Sequence, residues 1–200
     1  MRLYRILQIF FGSLLVAGVL EAQQGAPATP AATPRSAVRP DATIQEIMAT
    51  MVVPTSKVVF EAVSTETVQG KEVQKEPKTD AEWAAVKDNA LRMVEASKLM
   101  AMDGRHIARN MNAKGKDGEL APKQIETLLA KNRPEWNKFA REFGDVASTA
   151  AKAAEKKDKD GVFGAAGDLD TACENCHLKY WYPKSKQAEK AKEGAASPRN

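Results

Sequence analysis

Apolar residues recur along this chain with helical spacing. Ile44, Ile47, Met48, Met51 and Val52 fall at intervals that put side chains on one helix face. Pro54 brings no N–H and is expected to kink or break this first helix, with Val58, Val59 and Ala62 carrying the pattern on. The β-branched residues of that second half also permit a short strand. A second helix opens at "TDAE", where Thr79 caps and Glu82 reaches back. Its apolar face is Trp83, Val86, Ala90, Met93, Val94 and Met100, and it is expected to run to about His106 or Asn110.

"NRPE" starts a third helix, with Asn132 as cap and Pro134 tolerated in the first turn. Its stripe is the cleanest in the chain: Trp136, Phe139, Ala140, Phe143, Val146, Ala147, Ala150 and Ala154. A fourth begins after Asp160, includes Phe163, Ala166, Leu169, Cys173, Cys176, His177 and Tyr180, and stops at Pro183. Residues 65–78 contain "QG" and a proline and read as a loop, whereas Ile125, Leu128 and Leu129 mark a short amphipathic helix within 112–131. The remaining pattern offers no convincing strand and no repeat. The fold class expected over residues 43–183 is therefore all-α, an antiparallel four-helix bundle round one core.

The flanks differ in character. Residues 1–22 carry Arg2 and Arg5 ahead of a mostly apolar run from Ile6 to Leu20, which fits a secretory signal cleaved after Ala22. That places the remaining chain in the bacterial periplasm; a retained leader would instead tether it to the membrane. Residues 23–42 hold four prolines and six alanines but no aromatic, so they bury too little to offset chain entropy and read as a linker. Residues 184–200 form a basic polar tail. The full chain has 30 basic and 26 acidic residues; without Arg2, Arg5 and Glu21 the balance is 28 to 25, a net +3. Such a mild excess lacks the dense positive stripe of a nucleic-acid binder.

Both cysteines stand in "CENCH", residues 173–177. At about 100° per residue on a helix, Cys173, Cys176 and His177 share a sector roughly 100° wide. C-x-x-C-H is the attachment signature of c-type haem: each thiol adds to one vinyl group and the adjacent imidazole binds iron. A thioredoxin-like pair would open a helix in a βαβ setting, which this pattern lacks. Zinc would want four ligands, but the chain has two cysteines and two histidines, with His106 remote. A disulfide one helical turn apart would close almost no loop and add little stability. His106 itself is read as a partner of the second helix's C-terminal dipole.

A C-x-x-C-H on the last helix of a four-helix bundle resembles the class II c-type cytochromes, the cytochrome c′ group, over residues 43–183. The resemblance implies one covalently attached haem c, with thioether bonds at Cys173 and Cys176 and His177 as proximal ligand. The family commonly continues with an aromatic and then a basic residue, whereas here Tyr180 is followed by Trp181 and the nearest base is Lys179. One branch of the family leaves the iron five-coordinate and binds nitric oxide or carbon monoxide. The other ligates iron with a first-helix methionine and carries electrons; register matching puts Met48 at that position, with Met51 one turn later on the same face. The expected function is single-electron transfer to and from redox partner proteins, without turnover of a substrate, in a monomer or a homodimer of the kind this family forms. Gas binding is the first alternative, and a haem-free helical interaction module with a Cys173–Cys176 redox pair the second. Lys152, Lys156, Lys157, Lys159, Lys179, Lys184 and Lys186 form a basic group at the ends of the third and fourth helices that could steer an acidic partner, although a solvated face is the more ordinary explanation.

Overall fold

A computed structural model of the chain describes residues 40–116 and 118–183. The leader at 1–22, most of the linker at 23–42 and the tail at 184–200 lie outside the described residues. The described part is mostly helical. Its elements in order are α1 (Ile44–Ile47), a π-helical turn (Met48–Val52), α2 (Val53–Phe60), β1 (Ser64–Val68), β2 (Lys71–Lys75), α3 (Asp80–Met100), α4 (Pro122–Lys131), α5 (Arg133–Glu155) and α6 (Lys159–Tyr180). Among these helices none is long and apolar enough to cross a membrane.

Local chemistry explains most helix starts. Thr43 and Glu46 make a reciprocal capping box at α1, with Thr43 Oγ1 accepting from Glu46 N at 3.2 Å and Thr43 N donating to Glu46 Oε2 at 2.8 Å. Thr79 and Glu82 repeat the arrangement at α3. The Asn132 side chain caps α5 through Glu135 N, and Asp158 caps α6 through Gly161 N. At the end of α5, Lys157 takes φ 55°, and Asp158 N and Lys157 N bond back to the carbonyls of Ala153 and Ala154. That Schellman arrangement satisfies carbonyls the helix leaves open.

Helix α3 packs along α5, α5 along α6, and the first helix lies against α3, with α2 also reaching α6. The shared core contains Ile44, Ile47, Val52, Val59, Trp83, Met93, Trp136, Phe143, Leu169 and Tyr180. The expected faces of α3 and α5 are buried as read, from Trp83 to Met100 and from Trp136 to Ala154, with Val94, Phe139 and Val146 half-buried. Close approach of α3 to α5 is set at Gly144, where a Cβ would collide with the Ser97 side chain.

Four expectations are corrected. Residues 64–75 are a two-stranded antiparallel hairpin rather than loop, pairing Ser64 with Lys75 through Val68 with Lys71. Gln69 and Gly70 both take positive φ, 52° and 76°, the two-residue turn whose twist suits a hairpin. Its strands are almost wholly exposed and lack an apolar face, so hydrophobic alternation could not reveal them. Helix α3 ends at Met100, short of His106 and Asn110, because three side chains cap its last carbonyls. Arg105 Nε donates to Leu99 O, Arg133 to Ala101 O and Met102 O, and Trp136 Nε1 to Met100 O. In α6 the inward residue is Val162, fully buried, while Phe163 is 60% exposed; the face is shifted by one residue at that end. Finally, Ala42 belongs with the folded part, since its carbonyl accepts from Arg105.

Candidate functional site

Helix α6 carries Cys173, Cys176 and His177 in its C-terminal half, each half-buried and turned inward. The cysteines are free thiols rather than a disulfide. Burial pushes the Cys173 thiol up to about 11, with the Asp170 carboxylate adding to the effect. Cys176 is pushed up to about 12, mainly by burial and then by Cys173. Burial lowers the His177 pKa, against the opposing pull of Glu174 and Glu119, so its imidazole stays neutral. Reactive redox cysteines sit at helix N-termini or beside cations, where the thiolate is favoured. These two sit in the C-terminal half of their helix, away from its N-terminus, and are protonated.

The three side chains open onto an apolar cleft shared by four helical segments. The first helix contributes Ile44, Met48 and Val52, and α3 contributes Met100. Trp136, Phe139, Ala140 and Phe143 come from α5, and Ala172, Cys173, Cys176 and His177 from α6, with Trp181 just beyond it. The enclosed space is about 40 Å³. A water needs roughly 10–15 Å³, so the cleft is narrow, and its lining has little to offer a polar guest besides sulfur and imidazole.

The end of α6 is held by its neighbours. Trp181 N and Tyr182 N both donate to the His177 carbonyl, at 2.7 and 2.8 Å, and Leu120 N donates to the Trp181 carbonyl at 2.9 Å. The Tyr182 hydroxyl donates to Glu119 Oε1 at 3.3 Å. His177's ring lies 5.8 Å from that of Trp181 and edge-on to Tyr182 at 6.3 Å. Behind the cleft, the Tyr180 ring meets Trp136 edge-on at 5.0 Å and Phe139 at 6.0 Å. Its buried hydroxyl has no partner among the described residues. The bases of the cleft are thus locked by aromatic packing and backbone bonds.

Of the sequence candidates, the cleft unites Met48 with Cys173, Cys176 and His177, and it leaves Met51 out. Met51 is half-buried against the core. His106 is elsewhere: it follows the end of α3 rather than capping it, and its Nδ1 lies 2.9 Å from Glu126 Oε1. Trp83 is core without lining the cleft. Met100 lines the cleft as well, as do Ile44, Val52 and Ala140, and nothing in their helical spacing separates core filler from cleft wall. The lysines divide. Lys159 opens α6 and pairs with Glu76, roughly 27 Å from His177 at about 1.5 Å rise per residue. Lys157 pairs with Asp80, and Lys179 with Glu135. Nearest the cysteines and His177 stand carboxylates instead, Asp170, Glu174 and Glu119.

Among the described residues no three His, Cys, Asp or Glu side chains group as a metal cage would require. A haem iron asks less of the protein, one imidazole and at most one further ligand. No family model, no curated protein and no solved structure matches the chain.

Proposed function

We propose that this chain is an exported monohaem c-type cytochrome that carries single electrons, with a haem c held by Cys173, Cys176 and His177 and its iron also ligated by Met48. The observation that carries the reading is the cleft itself, where Met48 from the first helix meets Cys173, Cys176 and His177 from the last between apolar and aromatic walls. In this reading the packing of the first helix, α3, α5 and α6 is that of an antiparallel four-helix bundle, and the chain is akin to the low-spin branch of the class II cytochromes.

The residues fit the group. Two protonated, inward thiols at C-x-x-C spacing suit thioether formation, and a neutral half-buried imidazole suits iron. Bound haem supplies a one-electron couple, and methionine with histidine ligation raises its potential. Trp136, Phe139 and Phe143 supply apolar walls that exclude water. The narrow cleft requires side chains to swing aside on loading, since small-molecule sites span about 300–1,000 Å³. The thiols' position far from the helix N-terminus and their raised pKa values favour attachment over a thiol redox pair. The carboxylates nearest the site favour a redox partner with a basic docking face.

The test is protein matured with haem-attachment machinery in the periplasm. Haem that survives denaturation, and is lost in Cys173→Ser/Cys176→Ser, is the expected result. A low-spin spectrum with a methionine–iron band, lost in Met48→Ala, is expected with it. Absence of covalent haem sinks the reading. A high-spin spectrum that shifts with carbon monoxide replaces electron transfer with gas binding.

A further inference from the structure

The first helix is not one continuous ladder. Val53 N–H bonds to Met48 O, five residues back, and Met48–Val52 forms a π turn between α1 and α2. Two features hold it. Pro54 has no N–H for the carbonyl four residues back, and its ring would clash with that carbonyl in an α-helix. The Thr50 hydroxyl donates to Glu46 O at 2.6 Å, and the buried Thr55 hydroxyl to Met51 O at 2.5 Å and Val52 O at 3.1 Å. Hydroxyls that bond the carbonyls three or four residues back bend a helix at that point.

The turn changes which side chains share a face. On an α-helix a step of four residues drifts by about +40°. On a π turn of about 4.4 residues per turn the same step drifts by about −33°. Ile44, Met48 and Val52 therefore stay in line, and all three line the cleft. Met51 would lie about 60° from Met48 on an unbroken α-helix. The π turn carries it to about 115°. Below the turn, Val52, Thr55 and Val59 are buried, whereas Val58 and Ala62, which an unbroken helix would turn inward with Met51, are only half-buried.

We propose that the π turn, held by Pro54 and the Thr50 and Thr55 hydroxyls, selects Met48 over Met51 as the side chain presented to the haem iron. Pro54 is then a positioning residue. It acts through register and does not itself line the cleft. This rests on the haem reading above, and the test separates the two.

The experiment uses full-length haem-loaded protein and follows the methionine–iron charge-transfer band and carbon monoxide binding. Met48→Ala is expected to lose the band and to bind carbon monoxide, because Met51 faces away. Met48→Ala/Pro54→Ala, free to close an α ladder, is expected to regain the band, and adding Met51→Ala to abolish it again. Retention of the band in Met48→Ala, through Met51 or Met100, would overturn the proposal. So would a double variant that stays folded by circular dichroism yet behaves as Met48→Ala alone. A measurement without variants guards against misfolding: in methyl-labelled wild-type protein, Met48 alone among the methionines should show a strongly shifted methyl, and a shift at Met51 overturns the assignment. Failure to attach haem at all rejects the haem reading instead.

Discussion

The indole Nε1 of Trp136 donates to the carbonyl of Met100 at 2.9 Å, tying the first turns of α5 to the last residue of α3 beside the cleft that both residues line. The bond is buried, and it satisfies a carbonyl that the helix end leaves open. Trp136→Phe keeps an aromatic ring but orphans that carbonyl. A loss of about 1–3 kcal/mol is expected from the urea midpoint. No loss would mean that the carbonyl finds another donor.

Gly144 lets α3 and α5 approach, and a Cβ there meets Ser97. Alanine favours the helix by up to about 1 kcal/mol. Overpacking costs about 1–3 kcal/mol, so Gly144→Ala is expected to destabilise by roughly 1 kcal/mol. Adding Ser97→Ala, which removes the hydroxyl, should recover part of the loss. Simple additivity in that cycle would count against the contact.

Lys157 holds φ 55° at the close of α5. A left-handed residue with a Cβ costs about 1–2 kcal/mol relative to glycine. Lys157 also pairs with Asp80 at 2.6 Å, but that pair is exposed and worth little. Lys157→Gly is therefore expected to raise the thermal midpoint, and a fall would show that the ion pair outweighs the backbone term.

The cleft's titratable groups give the chain a stability plateau bounded on both sides. Folded Cys173 and Cys176 keep their protons to about 11 and about 12. Unfolded thiols lose theirs near about 8.5. Above that value the folded state binds more protons, so stability falls as pH rises. His177 has a lowered pKa when folded. Below about 6.5 the unfolded chain therefore binds more protons, and stability falls as pH drops. Urea midpoints across pH should show both limbs, and Cys173→Ala/Cys176→Ala should remove the alkaline one. A persistent alkaline limb would assign it to other groups.

Much of this architecture was legible along the chain. The faces of α3 and α5 follow from apolar residues at helical spacing, because only inward positions must avoid water. The Thr79 and Asn132 starts are local, each made by side chains within three residues. The Thr43 to Glu46 box carries the same signature in "TIQE", which marks the start of α1 as plainly. Phe163 misled because a large apolar residue beside Val162 competes for the same face, and only packing against neighbours assigned the inward place to Val162.

The chemistry divides along the same line. C-x-x-C-H is a local pattern, so the placing of Cys173, Cys176 and His177 on one face needed nothing but a helix. The choice between Met48 and Met51 needed more. It turns on a ladder that slips by one residue ahead of Pro54, and on which face α3 and α6 then cover. Met100 lines the cleft beside Trp136 of a different helix, whose indole bonds its carbonyl. Spacing along a helix specifies which residues travel together, whereas the partner each face meets is settled by contacts between segments far apart in the chain, which no local pattern encodes.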